Sequence, residues 1–225
     1  MMMTPEALVE FATGFMLTER LADAASDILD LDPFEAEQGW IVRVTLAEHC
    51  AGRIHDRVRH RSSDTGCGLC GIAGLEQVVR PIAARAPLPR VTAAALFSAL
   101  GAIRDSQPLN ALTGAVHAAA LCDIDGKIVA AFEDVGRHNA LDKLIGSIAI
   151  AGRDIGDSFF LVTSRVSFEM VDKALLAGAP LLVGISAPTT MAIDQARRHG
   201  LTLVALARPD SMLVVNDPSD RLRIR

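Results

Sequence analysis

The chain has no tyrosine and a single tryptophan, and aromatic residues make up only 4 % of it. Half of its residues are hydrophobic, so Leu, Ile, Val and Ala must fill the core. That composition suits Ala-rich helices packed closely on a sheet. There is no basic excess: 22 Lys and Arg stand against 27 Asp and Glu, a formal charge of −5. This excludes the whole-protein electrostatic footprint of a nucleic-acid binder. No run approaches the roughly 18 unbroken apolar residues of a membrane span. The start, Met1 to Glu6, lacks the basic and apolar regions of a secretory signal. Four cysteines are too few for a disulfide scaffold in 225 residues. The expected setting is the cytoplasm, with neither nucleic acid nor membrane as partner.

What is present divides into two grammars. Thr4-Pro5-Glu6 reads as a helix start with Thr4 as N-cap and Pro5 at the first helical position. Leu8, Phe11, Ala12, Phe15 and Met16 then share one helical face. Ile41 to Leu46 shortens the period to two, as in a half-buried strand. Arg57 to Arg61 is locally basic. Beyond about residue 86, Thr92 caps a helix through Ala102, and Ala115 to Leu121 and Lys127 to Phe132 form strands joined by a turn at 123–126. Helices at 137–150, 167–176 and 189–199 then alternate with strands at 159–163, 181–185 and 201–206. Short, continuously apolar strands alternating with helices predict an α/β fold: a mixed sheet covered by helices on both faces. Residues 1–85 are expected to form a smaller α+β part, and 86–225 the α/β domain.

Between these parts stands Thr65-Gly66-Cys67-Gly68-Leu69-Cys70-Gly71, a loop with unusual backbone freedom. A thiol reacts as thiolate, so it needs exposure and a positive neighbourhood. Half a zinc site, a dithiol redox pair, a persulfide carrier and two buried small residues all remain open. Zinc would need two further ligands from Cys50, Cys122 and six His residues, with no second paired motif. No metal site is therefore predicted. A thiol–disulfide oxidoreductase ranks second, because such pairs usually sit where a strand enters a helix.

A second concentration of polar groups, Glu133 to Lys143, falls at a strand-to-helix junction, where open α/β sheets bind ligands. The bland alternative makes Asp134 an N-cap, Arg137–Asp142 an ion pair and His138 a surface group. Thr163-Ser164-Arg165-Val166-Ser167 and Ser186-Ala187-Pro188-Thr189-Thr190 are similar junctions on later strands. Hydroxyls and amides at helix starts suit phosphate, and Arg165 can clamp one bidentately. Capping by Ser167 and Thr189 is expected as well. His117, in an apolar strand, reads first as a core histidine.

These strings, together with Val116-His117-Ala118-Ala119-Ala120 and Glu169-Met170-Val171-x-Lys173, resemble in order the signatures of the FdhD family of formate dehydrogenase accessory sulfurtransferases. The resemblance implies a cytidine-deaminase-like fold without its zinc, and a homodimer. It also implies a persulfide on Cys67, assisted by Cys70, that carries sulfur from a cysteine desulfurase. The sulfur goes to the molybdenum of a bis(guanine dinucleotide) cofactor destined for formate dehydrogenase. That cofactor would be bound as substrate, with no resident cofactor. The rival within the same resemblance is a non-catalytic chaperone that only binds the molybdenum cofactor. The cofactor-contacting stretch corresponds to Leu206-Ala207-Arg208-Pro209-Asp210-Ser211, with Arg137, His138, Ser164, Arg165, Ser186 and Thr189 completing the cradle. Relatives commonly have Phe at the place of Leu206 and a Gly-Arg pair at Asp210-Ser211, which implies weaker stacking and phosphate contact here. Relatives also carry a strand-forming segment ahead of Thr4-Pro5.

Overall fold

The computed structural model describes residues 1–54, 91–220 and 222–223. Cys67, Cys70 and the basic run Arg57 to Arg61 lie outside the described residues. The elements are α1 (Leu8–Thr18), a hairpin of β1 (Ile28–Ala36) and β2 (Gly39–Leu46), β3 (Val91–Thr92), α2 (Ala93–Ala102), α3 (Pro108–Thr113), β4 (His117–Asp123), β5 (Ile128–Asp134), α4 (Arg137–Ile150), β6 (Ser158–Val162), α5 (Phe168–Leu176), β7 (Leu181–Gly184), α6 (Thr190–Arg198), β8 (Thr202–Ala205), β9 (Leu213–Asn216) and β10 (Leu222–Arg223). Six strands form one mixed sheet in the order β5-β4-β6-β7-β8-β9. Its centre, β6-β7-β8, is parallel, and both flanks are antiparallel.

Alternation along the central strands sends side chains into two cores. Phe160, Val162, Leu182 and Leu203 pack with α4, α5 and α6. Phe159, Leu161, Leu181, Val183 and Val204 pack with α2 on the other face. Both faces being covered is why these strands are apolar throughout. The expected mixed α/β sheet with helices on both faces is what forms. The caps at Thr92 and Thr189 also hold: their hydroxyls accept from Ala95 N (3.1 Å) and Ala192 N (3.2 Å). Ser167 occupies the N-cap position of α5, but its hydroxyl is spent elsewhere. β9, an edge strand beside β8, was not expected.

The reading of Thr4-Pro5 as a helix start is corrected. Helix α1 begins only at Leu8, with Ala7 at its N-cap in the left-handed region (φ 51°). Thr4 is used as a tether. Its amide donates to Asp134 Oδ2 at 3.0 Å, and its hydroxyl accepts from Val135 N at 3.3 Å. Helix α1 then crosses α4 at two glycines. A Cβ on Gly14 would lie 1.8 Å from Asp142 O, and one on Gly146 would lie 1.8 Å from Glu10 O. Backbones can approach so closely only where neither helix carries a side chain.

Candidate functional site

β4 runs antiparallel to both neighbours, with His117 opposite Asp134 and Ala119 opposite Val162. The start of β4 therefore shares one sheet edge with the ends of β5, β6, β7 and β8. The first turns of α4, α5 and α6 follow directly on β5, β6 and β7 at this edge. All the polar junctions singled out above thus meet on one rim, as ligand-binding edges of such sheets do.

The residues of the Glu133 to Lys143 string face two ways. The inward group is structural. Asp134 is fully buried, and its Oδ2 pairs with Lys143 Nζ at 2.7 Å. Its Oδ1 accepts from Gly136 N (2.8 Å) and Asn139 Nδ2 (2.9 Å). Lys143 also donates to Thr4 O at 3.0 Å, and Asn139 to Met2 O at 3.0 Å. Asp142 does not pair with Arg137 as the bland alternative had it. Its partner is Lys173, whose Nζ lies 2.8 and 3.0 Å from the two Asp142 oxygens, 2.7 Å from Thr18 Oγ1 and 3.2 Å from Glu19 Oε1. Desolvation opposes charge on both partners and pushes the Asp142 carboxyl up. For Lys173 the Asp142 and Glu19 carboxylates override it and hold the ammonium above the ordinary lysine value. Glu133 receives Leu109 N and Asn110 N, both at 2.8 Å, and so caps α3. The N-terminal segment is fastened by buried, fully engaged groups, the arrangement that makes such charges tolerable.

The outward group is cationic. His117 is half-buried at the start of β4 and is not a core residue. Burial lowers its pKa, and the nearby charges of Arg137, Arg165 and His138 lower it further. Arg137 Nε is buried with no acceptor among the described residues. His138 Nε2 stands 3.4 Å from both Ser167 Oγ and Glu169 Oε2, while Ser167 donates to that same Glu169 oxygen at 2.9 Å. Burial alone would raise the Glu169 carboxyl, but the hydrogen bonds from His138 and Ser167 leave it below the ordinary value.

Beside this cluster opens a cavity of about 560 Å³ whose wall includes His117, Thr163, Ile185, Ala207, Arg208 and Pro209. The 206–211 stretch is shaped by its backbone. Leu206 sits in the left-handed region (φ 50°), and Arg208 N donates to Ser211 O at 2.7 Å. The Arg208 guanidinium is turned onto the carbonyls of Ile185 and Ala207. Asp210 Oδ1 accepts from Ser211 Oγ at 3.0 Å. Of the remaining expected site residues, Arg165 and Thr189 are exposed at the rim and Ser186 is half-buried there. Ser164 is buried, with its hydroxyl on Arg165 O at 3.0 Å. Sequence reasoning missed Arg104 and Gln107 of the α2–α3 connection and Asn110 of α3, which also line the cavity. No periodicity marks them; the only cue was Pro108 as a helix start.

Among the described thiols, Cys122 is a poor nucleophile. Cys122 is sealed in the core, and burial pushes its pKa up to about 12. No helix among the described residues is long and apolar enough to cross a membrane.

Fold and rim together define a class: an α/β protein whose mixed sheet carries a cationic edge. The FdhD/NarQ family pattern matches residues 1–223. The sulfur carrier protein FdhD of Bordetella petrii is 39 % identical over 225 residues, all of this chain and 81 % of its own length. That of Agrobacterium fabrum is 44 % identical over 209 residues, 92 % of this chain and 77 % of its own. A crystal structure from Desulfotalea psychrophila, assigned as a formate dehydrogenase accessory protein, is similar with a TM-score of 0.73 and 28 % identity, covering 98 % of this chain and 81 % of that one. The chain belongs to the FdhD/NarQ family.

Proposed function

We propose that this chain is a sulfurtransferase that prepares a molybdenum bis(guanine dinucleotide) cofactor for formate dehydrogenase. The Cys67 thiolate attacks the terminal sulfur of a cysteine desulfurase persulfide. The S–S bond there breaks, and the desulfurase thiolate leaves. Cys67 then holds the sulfane sulfur, with Cys70 assisting its release. On delivery the S–S electron pair stays on Cys67 as thiolate, and the reduced metal of the cargo supplies the two electrons that make sulfide. The cargo's phosphates and guanines would lie along the rim, against Arg137, His138, Arg165 and the hydroxyls of Ser186 and Thr189, with the 206–211 stretch forming one wall.

The observation that supports binding is the cationic cluster around His117, with a buried Arg137 Nε that has no acceptor among the described residues. An anionic guest would satisfy both. The sulfur half rests on Cys67-Gly68-Leu69-Cys70 in a chain whose relatives are named sulfur carriers. The reading includes the cytidine-deaminase-like assignment of the fold, a cytoplasmic location and a homodimer.

The test is mass spectrometry after incubation with a cysteine desulfurase and cysteine. The expected product is a gain of about 32 Da, one sulfur atom, on Cys67. A Cys67–Cys70 disulfide with no adduct would instead establish the thiol–disulfide oxidoreductase. Binding of guanosine diphosphate with neither product would leave a non-catalytic cofactor binder. Cys67→Ala should fold normally and fail to activate formate dehydrogenase.

A further inference from the structure

Away from the rim, Asp27, His49 and Cys50 each bring one ligand atom to within 4.8 Å of the others. Asp27 ends the short 3-10 turn before β1, and His49 and Cys50 end the one after β2. The three therefore meet at the foot of the β1–β2 hairpin, where Ala47 N donates to Asp27 O at 2.8 Å. Asp27 commits Oδ2 to the amides of Asp23 (2.9 Å) and Ala24 (3.0 Å). Its Oδ1 remains, 3.4 Å from His49 Nε2. Cys50 is fully buried, whereas 58 % of the His49 side chain is exposed. The donor set thus runs from the interior to solvent, which gives an ion a way in.

One carboxylate oxygen, one imidazole nitrogen and one sulfur form a borderline-soft set suited to zinc. Metal–ligand bonds of 2.0–2.3 Å put tetrahedral ligand atoms about 3.3–3.8 Å apart. The Asp27–His49 separation already falls in that window, and the remaining atoms need shifts of an ångström or so. The Asp27 carboxylate is pre-oriented by its two amide donors, the second-shell support that metal sites commonly show. An Asp27–His49 ion pair alone would account for those two residues, but it gives no role to the adjacent buried thiol.

We propose that Asp27, His49 and Cys50 form a three-ligand site for a zinc-class divalent cation, with water in the fourth position, that clips the two ends of the hairpin. Binding forms one bond each to oxygen, nitrogen and sulfur and releases the Cys50 thiol proton to solvent, with no change of oxidation state. The site uses neither Cys67 nor Cys70, so it stands apart from the sulfur-transfer reading.

Cobalt(II) added to the full chain tests this through the thiolate-to-cobalt charge-transfer band. One equivalent should saturate the band, Cys50→Ser should abolish it, and Cys67→Ala/Cys70→Ala should leave it unchanged. His49→Ala, at an exposed position where folding is not at stake, should weaken binding by more than the roughly 10–100-fold cost of losing an outer-shell partner. Absence of the band, its survival in Cys50→Ser, or any dependence on Cys67 or Cys70 overturns the proposal.

Discussion

Gly146→Ala is the sharpest perturbation of the α1–α4 crossing. The added Cβ would stand 1.8 Å from Glu10 O, 2.7 Å from Gly14 N and 2.8 Å from Glu10 C. An ordinary carbon–oxygen contact is about 3.3–3.6 Å, so α1 would have to retreat by roughly 1.5 Å. No rotamer change can relieve the clash, because all three atoms are backbone. Retreat would strain the tethers at both ends of α1, Thr18 to Lys173 and Thr4 to Lys143, and open the face carrying Leu8, Phe11 and Ala12. Overpacking costs about 1–3 kcal/mol, and this case belongs at the upper end. Replacing a helical glycine returns about 1 kcal/mol of propensity, so the net loss should be about 2 kcal/mol. Gly101→Ala in α2 is the matched control, since a Cβ there meets nothing within 4 Å. It should gain up to about 1 kcal/mol. Urea unfolding followed by circular dichroism reads both. A Gly146→Ala protein as stable as the parent, beside a stabilised Gly101→Ala, would refute the close-approach reasoning.

Two further perturbations probe the charged groups. Lys173→Met should cost about 3–5 kcal/mol by leaving the Asp142 carboxylate buried and uncompensated, and Lys173→Met/Asp142→Leu should recover most of the loss in urea unfolding. The Lys173 pKa is raised in the fold, so its stabilisation is complete below the ordinary lysine value and is lost as pH rises through the folded value. Alkaline titration should therefore destabilise the parent more steeply than the double variant. His117 is shifted the other way, by burial and then by Arg137, Arg165 and His138. Stability should fall as pH drops from the ordinary histidine range through its folded value. In NMR titration its midpoint should lie below that range and rise in Arg165→Gln. It should also rise when guanosine diphosphate binds, and a midpoint indifferent to both would dissolve the cationic cluster.

The α/β alternation was readable because Phe159 to Val162, Leu181 to Gly184 and Thr202 to Ala205 are buried along their length, so each strand carries its signal without help from neighbours. β9 was not, since Leu213 and Val214 are exposed and only pairing with β8 makes them a strand. The polar string from Glu133 to Lys143 shows where local reading stops. Its density marks a junction correctly, but nothing in the spacing says that Asp134, Asn139, Asp142 and Lys143 turn inward while Arg137 and His138 turn out. The deciding partners, Met2, Thr4, Thr18 and Lys173, stand 31 to 139 residues away in sequence. Asp142 and Lys143 are adjacent, yet one grips the end of α1 through Thr18 and the other grips the segment ahead of it through Thr4. Together with the glycine crossing, they fix α1 on α4 at both ends and in the middle. The same α4 opens with Arg137 and His138, so the inward residues set where the outward cations stand. One string thus builds the scaffold and presents the rim, which is why its polar residues could not be sorted before their distant partners were known.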